Sequence, residues 1–165
     1  MANASLPKTL NVISWVMQGI VAIIFLAMGA LPKLTGDPYA VQIFEQVGLG
    51  DAGRYATGVA ELIAGALILI PKTNWIGAAL GALVMLGALG SHLTKLGVVV
   101  KFTNPDTGAI ESNPMLFPIA LLLLGLCLGV FSLRKLHPGS MADAGASDRA
   151  SAGANPEPDN EPAAE

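Results

Sequence analysis

The sequence predicts an all-α polytopic membrane protein built as a four-transmembrane-helix bundle, and three observations carry that prediction. The 165 residues are 53% hydrophobic and 13% charged, with a mean hydropathy of +0.60, too apolar for an ordinary soluble domain of this size. Four long apolar runs each approach the roughly 20 residues a helix needs to cross about 30 Å of hydrocarbon. Those runs are continuous rather than alternating, which excludes a barrel, and only helices or closed barrels satisfy their backbone groups in lipid.

The first run covers Leu10 to Leu31. "AMGA" at Ala27 to Ala30 would pass as a small-residue cleavage site, with Lys8 as a minimal basic flank. The apolar stretch exceeds the roughly 7–15 residues of a signal-peptide core, so a retained helix is expected. The second run covers Tyr55 to Ile70, extendable through Ala52 and Gly53, and the third Trp75 to Leu93. "PKTN", Pro71 to Asn74, joins them as an antiparallel hairpin. The fourth covers Met115 to Leu133. Aromatics are only 5% while there are 19 glycines, a composition that suits helices approaching closely in lipid.

Two longer connections follow the odd-numbered helices and therefore share one membrane face. In the first, Tyr39 to Val47 carries Val41, Phe44 and Val47 on one side, the pattern of a short interfacial amphipathic helix. In the second, a β-branched run precedes Asn104-Pro105-Asp106-Thr107-Gly108, which signals a hairpin. A membrane domain over residues 1–136 is followed by an acidic Ala/Pro/Gly-rich tail over 137–165, expected to be disordered. Six of the acids lie between Asp143 and Glu165 against one Arg149, so the net charge of −3 leaves the remainder slightly basic. No basic patch with interleaved aromatics points to nucleic acid.

Flanking cations divide evenly. Lys8, Lys72, Arg134 and Lys135 lie on one side and Lys33, Arg54, Lys95 and Lys101 on the other. If Lys33, Arg54 and Lys95 are held by a polar cluster, the positive-inside rule places both termini in the cytoplasm. The expected location is a bacterial cytoplasmic (inner) membrane.

Chemistry concentrates at one residue. "TGVAELIAGALILIP", Thr57 to Pro71, is apolar or small except for Glu61. Helical spacing places Arg54, Gly58, Glu61 and Gly65 on one stripe, whose glycines admit a neighbouring helix beside the carboxylate. Glu61 sits about 10 Å deeper than Arg54 at 1.5 Å rise per residue, and both side chains lean toward the helix N-terminus. A partner from another helix is therefore expected, and Lys33 and His92 end helices on the correct side. With Ser91, Thr94 and Lys95 they suggest a polar pocket open to one face, its surplus of positive charge suited to an anionic or carbonyl-bearing ligand. An intramembrane ionisable residue is by default a functional hypothesis. The competing reading is a salt bridge that only fixes helix packing.

Other chemistries fail. The lone Cys127 forms no intrachain disulfide or CxxC pair and reads as a packing residue. His92 and His137 flank opposite membrane sides, and no Cys/His cluster has metal-ligand spacing. "GLGDAG", Gly48 to Gly53, follows no strand and is no phosphate loop. "GAALG" at Gly77 to Gly81 and "GLCLG" at Gly125 to Gly129 are small-xxx-small motifs, read as intramolecular packing with dimerisation as the alternative.

"FLAMGALPKL" ending the first helix, "VGLG" ending the connection, and "GVAELIAGALILIP" resemble the DoxX family of small four-helix membrane proteins over roughly residues 15–133. Gly29, Lys33, Glu61 and Gly65 carry the match; Arg54 and His92 rest on the geometry above. The resemblance implies an accessory or quinone-facing subunit of a membrane oxidoreductase complex. Because one apolar Cys127 and two separated histidines supply no site for an electron carrier, the chain is expected not to be catalytic alone and to hold no covalently bound cofactor. Quinone is the candidate cofactor. A soluble oxidoreductase subunit or a second copy in a homo-oligomer is the candidate partner. The alternative is a non-catalytic helper or small-solute-binding protein in which Glu61 is structural.

Overall fold

The computed structural model describes residues 7–136; the expected tail and His137 lie outside the described residues. Four helices are long and apolar enough to cross a membrane. They are α1 (Lys8–Thr35), α3 (Gly50–Leu69), α4 (Asn74–Leu96) and α5 (Leu116–Leu136). A short helix α2 (Pro38–Val47) lies between α1 and α3, and strands β1 (Val100–Thr103) and β2 (Ile110–Asn113) lie between α4 and α5. All four expected spans are present. The chain is an integral-membrane type of helical bundle, its lipid-facing surface supplied by residues such as Ile23, Leu83 and Leu121.

Small side chains set the packing. Ala22, Ala64, Ala78, Ala82 and Ala120 sit in the core with Val21, Ile68, Leu123, Cys127 and Val130. Phe25 is the largest fully buried side chain, and its ring occupies the space that Gly81 leaves open. A Cβ at Gly81 would lie 2.5 Å from Phe25 Cε2 and 3.0 Å from Cys127 Sγ. At Gly65 a Cβ would lie 3.1 Å from Leu26 side-chain atoms, and at Gly77 it would lie 2.8 Å from the Ala64 carbonyl oxygen. Bare backbone at these points allows α1, α3, α4 and α5 to meet at short range, where dispersion contacts replace the missing hydrophobic drive between helices in lipid. The Gly125–Gly129 motif divides differently. Gly125 has no neighbouring atom within 4 Å, whereas Gly129 lies against Met17 Cε.

Two helices widen near their loop-side ends. Residues Ile24–Ala30 of α1 and His92–Leu96 of α4 form π-helical turns. In α1 the Leu31 N–H bonds to the Leu26 carbonyl, five residues back. Pro32 gives the reason: it has no N–H, and its ring would press on the carbonyl four residues earlier in a regular α-helix. In α4 the Gly97 N–H closes the last turn on the His92 carbonyl at 2.9 Å, and Gly97 at φ +73° ends the helix.

The two connections build one layer. Asp37 Oδ1 accepts from Tyr39 N (3.0 Å) and Ala40 N (3.2 Å), with Pro38 as the first helical residue, so α2 starts with a complete N-cap. In the hairpin β1 pairs antiparallel with β2 from Val100↔Asn113 to Thr103↔Ile110. Asn104 Oδ1 accepts from the Asp106 and Thr107 amides, and Gly108 takes the positive φ that closes the turn. Gln42 then treats the free edge of β1 as a third strand would: its amide donates to Thr103 O (2.9 Å) and accepts from Thr103 N (2.8 Å). Gln46 donates to Lys101 O (2.9 Å), and Tyr39 packs edge-on against Phe102 at 4.7 Å. The helix expected to lie in the membrane interface is thereby docked on the hairpin. Ala40, Ile43, Phe44 and Val47 of its apolar face line a cavity in the bundle, while Val41, expected on that face, is half-buried but outside the cavity lining.

Glycine substitutions separate these roles. Gly77→Ala drives a methyl group into the α3 backbone and is expected to destabilise the bundle by about 1–3 kcal/mol. Gly125→Ala meets open space and should be neutral or slightly stabilising, within about 1 kcal/mol. Unfolding of both variants in detergent micelles checks the difference; equal losses would show that the close approach at Gly77 carries no strain.

Candidate functional site

Glu61 lies on the inward stripe of α3 with Arg54, Gly58, Ala64, Gly65 and Ile68, all buried. Its partner is Lys33 of α1, whose Nζ donates to Glu61 Oε2 at 2.5 Å. The pair is asymmetric: the Glu61 side chain is 4% exposed and that of Lys33 is 18% exposed. Each charged residue is accommodated by a glycine of the opposite helix. A Cβ at Gly29, one turn before Lys33, would lie 2.7 Å from Glu61 Oε2. A Cβ at Gly58, just before Glu61, would lie 3.0 Å from Lys33 Cβ. Gly29/Lys33 and Gly58/Glu61 therefore interlock, and a larger residue at either glycine would push its neighbour's charge away.

The other expected members of the cluster part company. Arg54 is buried, but its Nε and Nη2 donate to Asp51 Oδ1 (3.1 and 2.6 Å) and its Nη1 to the Lys33 carbonyl. It satisfies an orphan carbonyl at the end of α1 and ties that end to α3. Its guanidinium also lies over the Tyr55 ring at 4.2 Å. Lys95 is exposed and outside the cavity described next. The expected surplus of positive charge around Glu61 is therefore reduced to Lys33, because α3 turns Arg54 toward Asp51 and the last turn of α4 turns Lys95 outward. His92 is buried on the cavity wall and makes no ion pair with Glu61; its Nδ1 bonds to the Gly97 carbonyl at 2.8 Å, and its ring meets Phe117 edge-on at 5.6 Å.

Between α1, α3, α4 and α5, roofed by α2, lies a cavity of about 640 Å³. Phe25, Met28, Val84, Met85, Leu116 and Leu123 make most of its wall apolar. Polar groups are few: Lys33, Glu61, Thr57, Ser91 and His92 from the spanning helices, with Asp37 and Tyr39 from the roof. Met28 and Leu49 of the lining are 64% and 55% exposed, so the space communicates with the surroundings of the bundle. Outside the spanning segments, burial first and then the carboxylates of Glu111, Asp106 and Asp37 raise the pKa of the Tyr39 phenol above its ordinary value. It meets the cavity as a neutral hydroxyl. Sequence reading did not find Asp37, Tyr39 or Thr57. The cap-forming Asp37-Pro38 pair was a visible helix start, yet nothing local reveals that the helix it opens folds back over the bundle.

A second polar group lies toward the termini. Gln18 Nε2 donates to Ser14 O and Oγ (both 3.0 Å), and Asn74 Nδ2 approaches Gln18 Oε1 at 3.4 Å, all three residues being buried. Sequence reading did not find this group, although the four-residue spacing of Ser14 and Gln18 puts both on one helix face. Arg134 is buried near the same end, over the Trp15 ring at 5.7 Å. Among the described residues no three His, Cys, Asp or Glu side chains come together as a metal site.

Removing one member of the Lys33–Glu61 pair leaves the other stranded, a loss of about 3 kcal/mol or more for a buried ion. Lys33→Met should therefore be the more damaging single change, since Glu61 is the more deeply buried partner. Glu61→Gln should be milder, because the lysine stem can carry its ammonium outward. Lys33→Met combined with Glu61→Met should recover most of the stability. A double-mutant cycle on unfolding in micelles measures the coupling, and a double variant no better than Lys33→Met would contradict an asymmetric buried pair.

Comparison with known proteins adds one finding. A family model described as the DoxX-like family matches residues 16–128. No curated protein and no solved structure matches the chain.

Proposed function

The chain belongs to the DoxX-like family, and on that premise we propose that it is a quinone-facing accessory subunit of a membrane-associated oxidoreductase complex. The observation that carries this reading is the cavity: a largely apolar space of about 640 Å³ inside the helices, with an ion pair on its wall. Ligand pockets of this kind are mostly apolar with a few placed polar groups, and the volume lies within their usual range of about 300–1,000 Å³. A quinone ring with a hydrocarbon tail has the matching distribution of polarity. The exposed lining residues Met28 and Leu49 give such a tail a way out of the cavity.

When bound, a quinone supplies two-electron, two-proton redox chemistry. The side chains here would hold and shield it. Lys33 Nζ keeps donors beyond the one used on Glu61 and can bind a ring oxygen; Glu61 can take up or release a proton beside it. Cys127 is buried alone in the core and offers no electron path, so turnover depends on a partner oxidoreductase subunit. One observation favours the plainer reading of Glu61 as a structural ion-pair residue in a small-solute binder: the fit of Gly29 and Gly58 around the pair would serve packing equally well.

Mass spectrometry of the purified protein decides the matter. Wild type should carry a quinone or similar tailed ring compound, and Ala88→Phe, which fills the cavity, should fold normally but lose it. Wild type without such a compound, or Ala88→Phe with an unchanged load, would overturn the proposal.

We place the protein in a bacterial cytoplasmic membrane with both termini inside. Support comes from the engagement of Lys33 and Arg54, which leaves Lys95 and Lys101 on the loop face against Lys8, Lys72 and Lys135 on the other. Cysteine placed at Asp106 should be labelled by an impermeant reagent on intact cells and cysteine at Lys72 should not. The native Cys127 is buried and should stay silent. The reverse pattern would invert the topology.

A further inference from the structure

His92 has a fixed orientation that the Lys33–Glu61 pair does not explain. It sits at the start of the π-helical turn closing α4, and Gly97 engages it twice. The Gly97 N–H donates to the His92 carbonyl at 2.9 Å, and His92 Nδ1 lies 2.8 Å from the Gly97 carbonyl oxygen. A carbonyl oxygen can only accept, so Nδ1 must carry a hydrogen. In the neutral ring the lone pair then belongs to Nε2. Among the described residues Nε2 has no hydrogen-bond partner, yet it is not among the polar atoms shut away from contact. The residue itself is only 6% exposed and lines the cavity. The wider turn is what makes this possible: it brings the Gly97 carbonyl back to the ring of His92, five residues earlier.

From this geometry we infer that His92 Nε2 is a hydrogen-bond acceptor facing the cavity, and that the site selects a ring compound bearing a hydroxyl over its counterpart bearing only acceptors. The inference rests on the proposed quinone-facing role and narrows it: the preferred occupant is the quinol form or another phenol. The hydroxyl donates to Nε2, whereas a carbonyl oxygen there would set lone pair against lone pair. Lys33 gives the cavity the opposite function, a donor for a ring oxygen. The site thus offers a donor and an acceptor of unlike chemistry.

Two probes that differ by one O-methyl group, and so in the presence of the donor, test this without redox turnover: para-nonylphenol and its methyl ether, para-nonylanisole. Both are measured by equilibrium binding to the full chain in nanodiscs, with His92→Asn as the control for the added methyl. Wild type should prefer the phenol roughly tenfold, the usual consequence of pairing or stranding one buried hydrogen-bonding group. His92→Asn retains a donor for the Gly97 carbonyl on a side chain too short to reach the position of Nε2. It should lose the preference while binding the ether as wild type does. Equal wild-type affinities, or a preference for the ether, would overturn the inference and leave the quinone-facing reading standing. Binding of neither probe would remove that reading and the inference with it. The wild-type comparison decides even if His92→Asn does not fold.

Discussion

A carboxylate buried within a transmembrane helix must meet a cation, and the loop-side half of this bundle is organised around that requirement. Glu61 is nearly fully buried, and the residues on its own stripe are glycine, alanine, isoleucine and an arginine engaged elsewhere. The cation therefore comes from α1. For Lys33 to reach Glu61 the two helices must cross closely, and Gly29 and Gly58 each remove the side chain that would prevent it. Arg54 reinforces the same crossing from the backbone side by binding the Lys33 carbonyl. Two helices are thus joined by one ion pair, two glycines within about a turn of the charges, and an arginine about two turns from Glu61 that caps the Lys33 carbonyl.

The same crossing explains why there is a cavity. Below the pair, Phe25 and the alanines fill the space between helices. At the level of the pair, α1 and α4 have already turned π-helical, Pro32 forcing the first and Gly97 ending the second. Small residues such as Gly87 and Ala88 leave room along the lining, and α2 closes the end. α2 is itself held from above by Gln42 and Gln46 on the β1 edge. A strand edge that could pair with another chain is occupied by side-chain amides of the same protein, which protects it and fixes the roof together.

Much of the site was legible in the residues. A lone glutamate in an apolar run, glycines at helical spacing beside it, and a lysine closing the preceding helix are enough to name Glu61, Gly58 and Lys33. The place of His92 on the cavity wall follows from the same end-of-helix argument. Arg54 and Lys95 were harder. Whether a cation near a helix end turns inward or outward depends on small differences in azimuth and on competing acceptors such as Asp51, and neither appears in local spacing. The place of the roof residues Asp37 and Tyr39 gave no signal, because a short amphipathic helix on lipid and one on a protein cavity have the same pattern.

By itself, then, the sequence determined four membrane spans, the hairpin, the amphipathic helix and the need for a partner at Glu61. These follow from local rules: hydropathy over a span, turn chemistry, and the cost of an unpaired charge in lipid. The tertiary structure alone decided that Lys33 rather than His92 takes the carboxylate, that Arg54 caps α1, and that α2 folds over the bundle. The physical reason is that such choices are made between helices distant in the chain, where ångström differences in approach select the partner. The orientation of His92 belongs to that class as well, since the meeting of its ring with the Gly97 carbonyl depends on the backbone conformation at the end of α4 and not on local spacing.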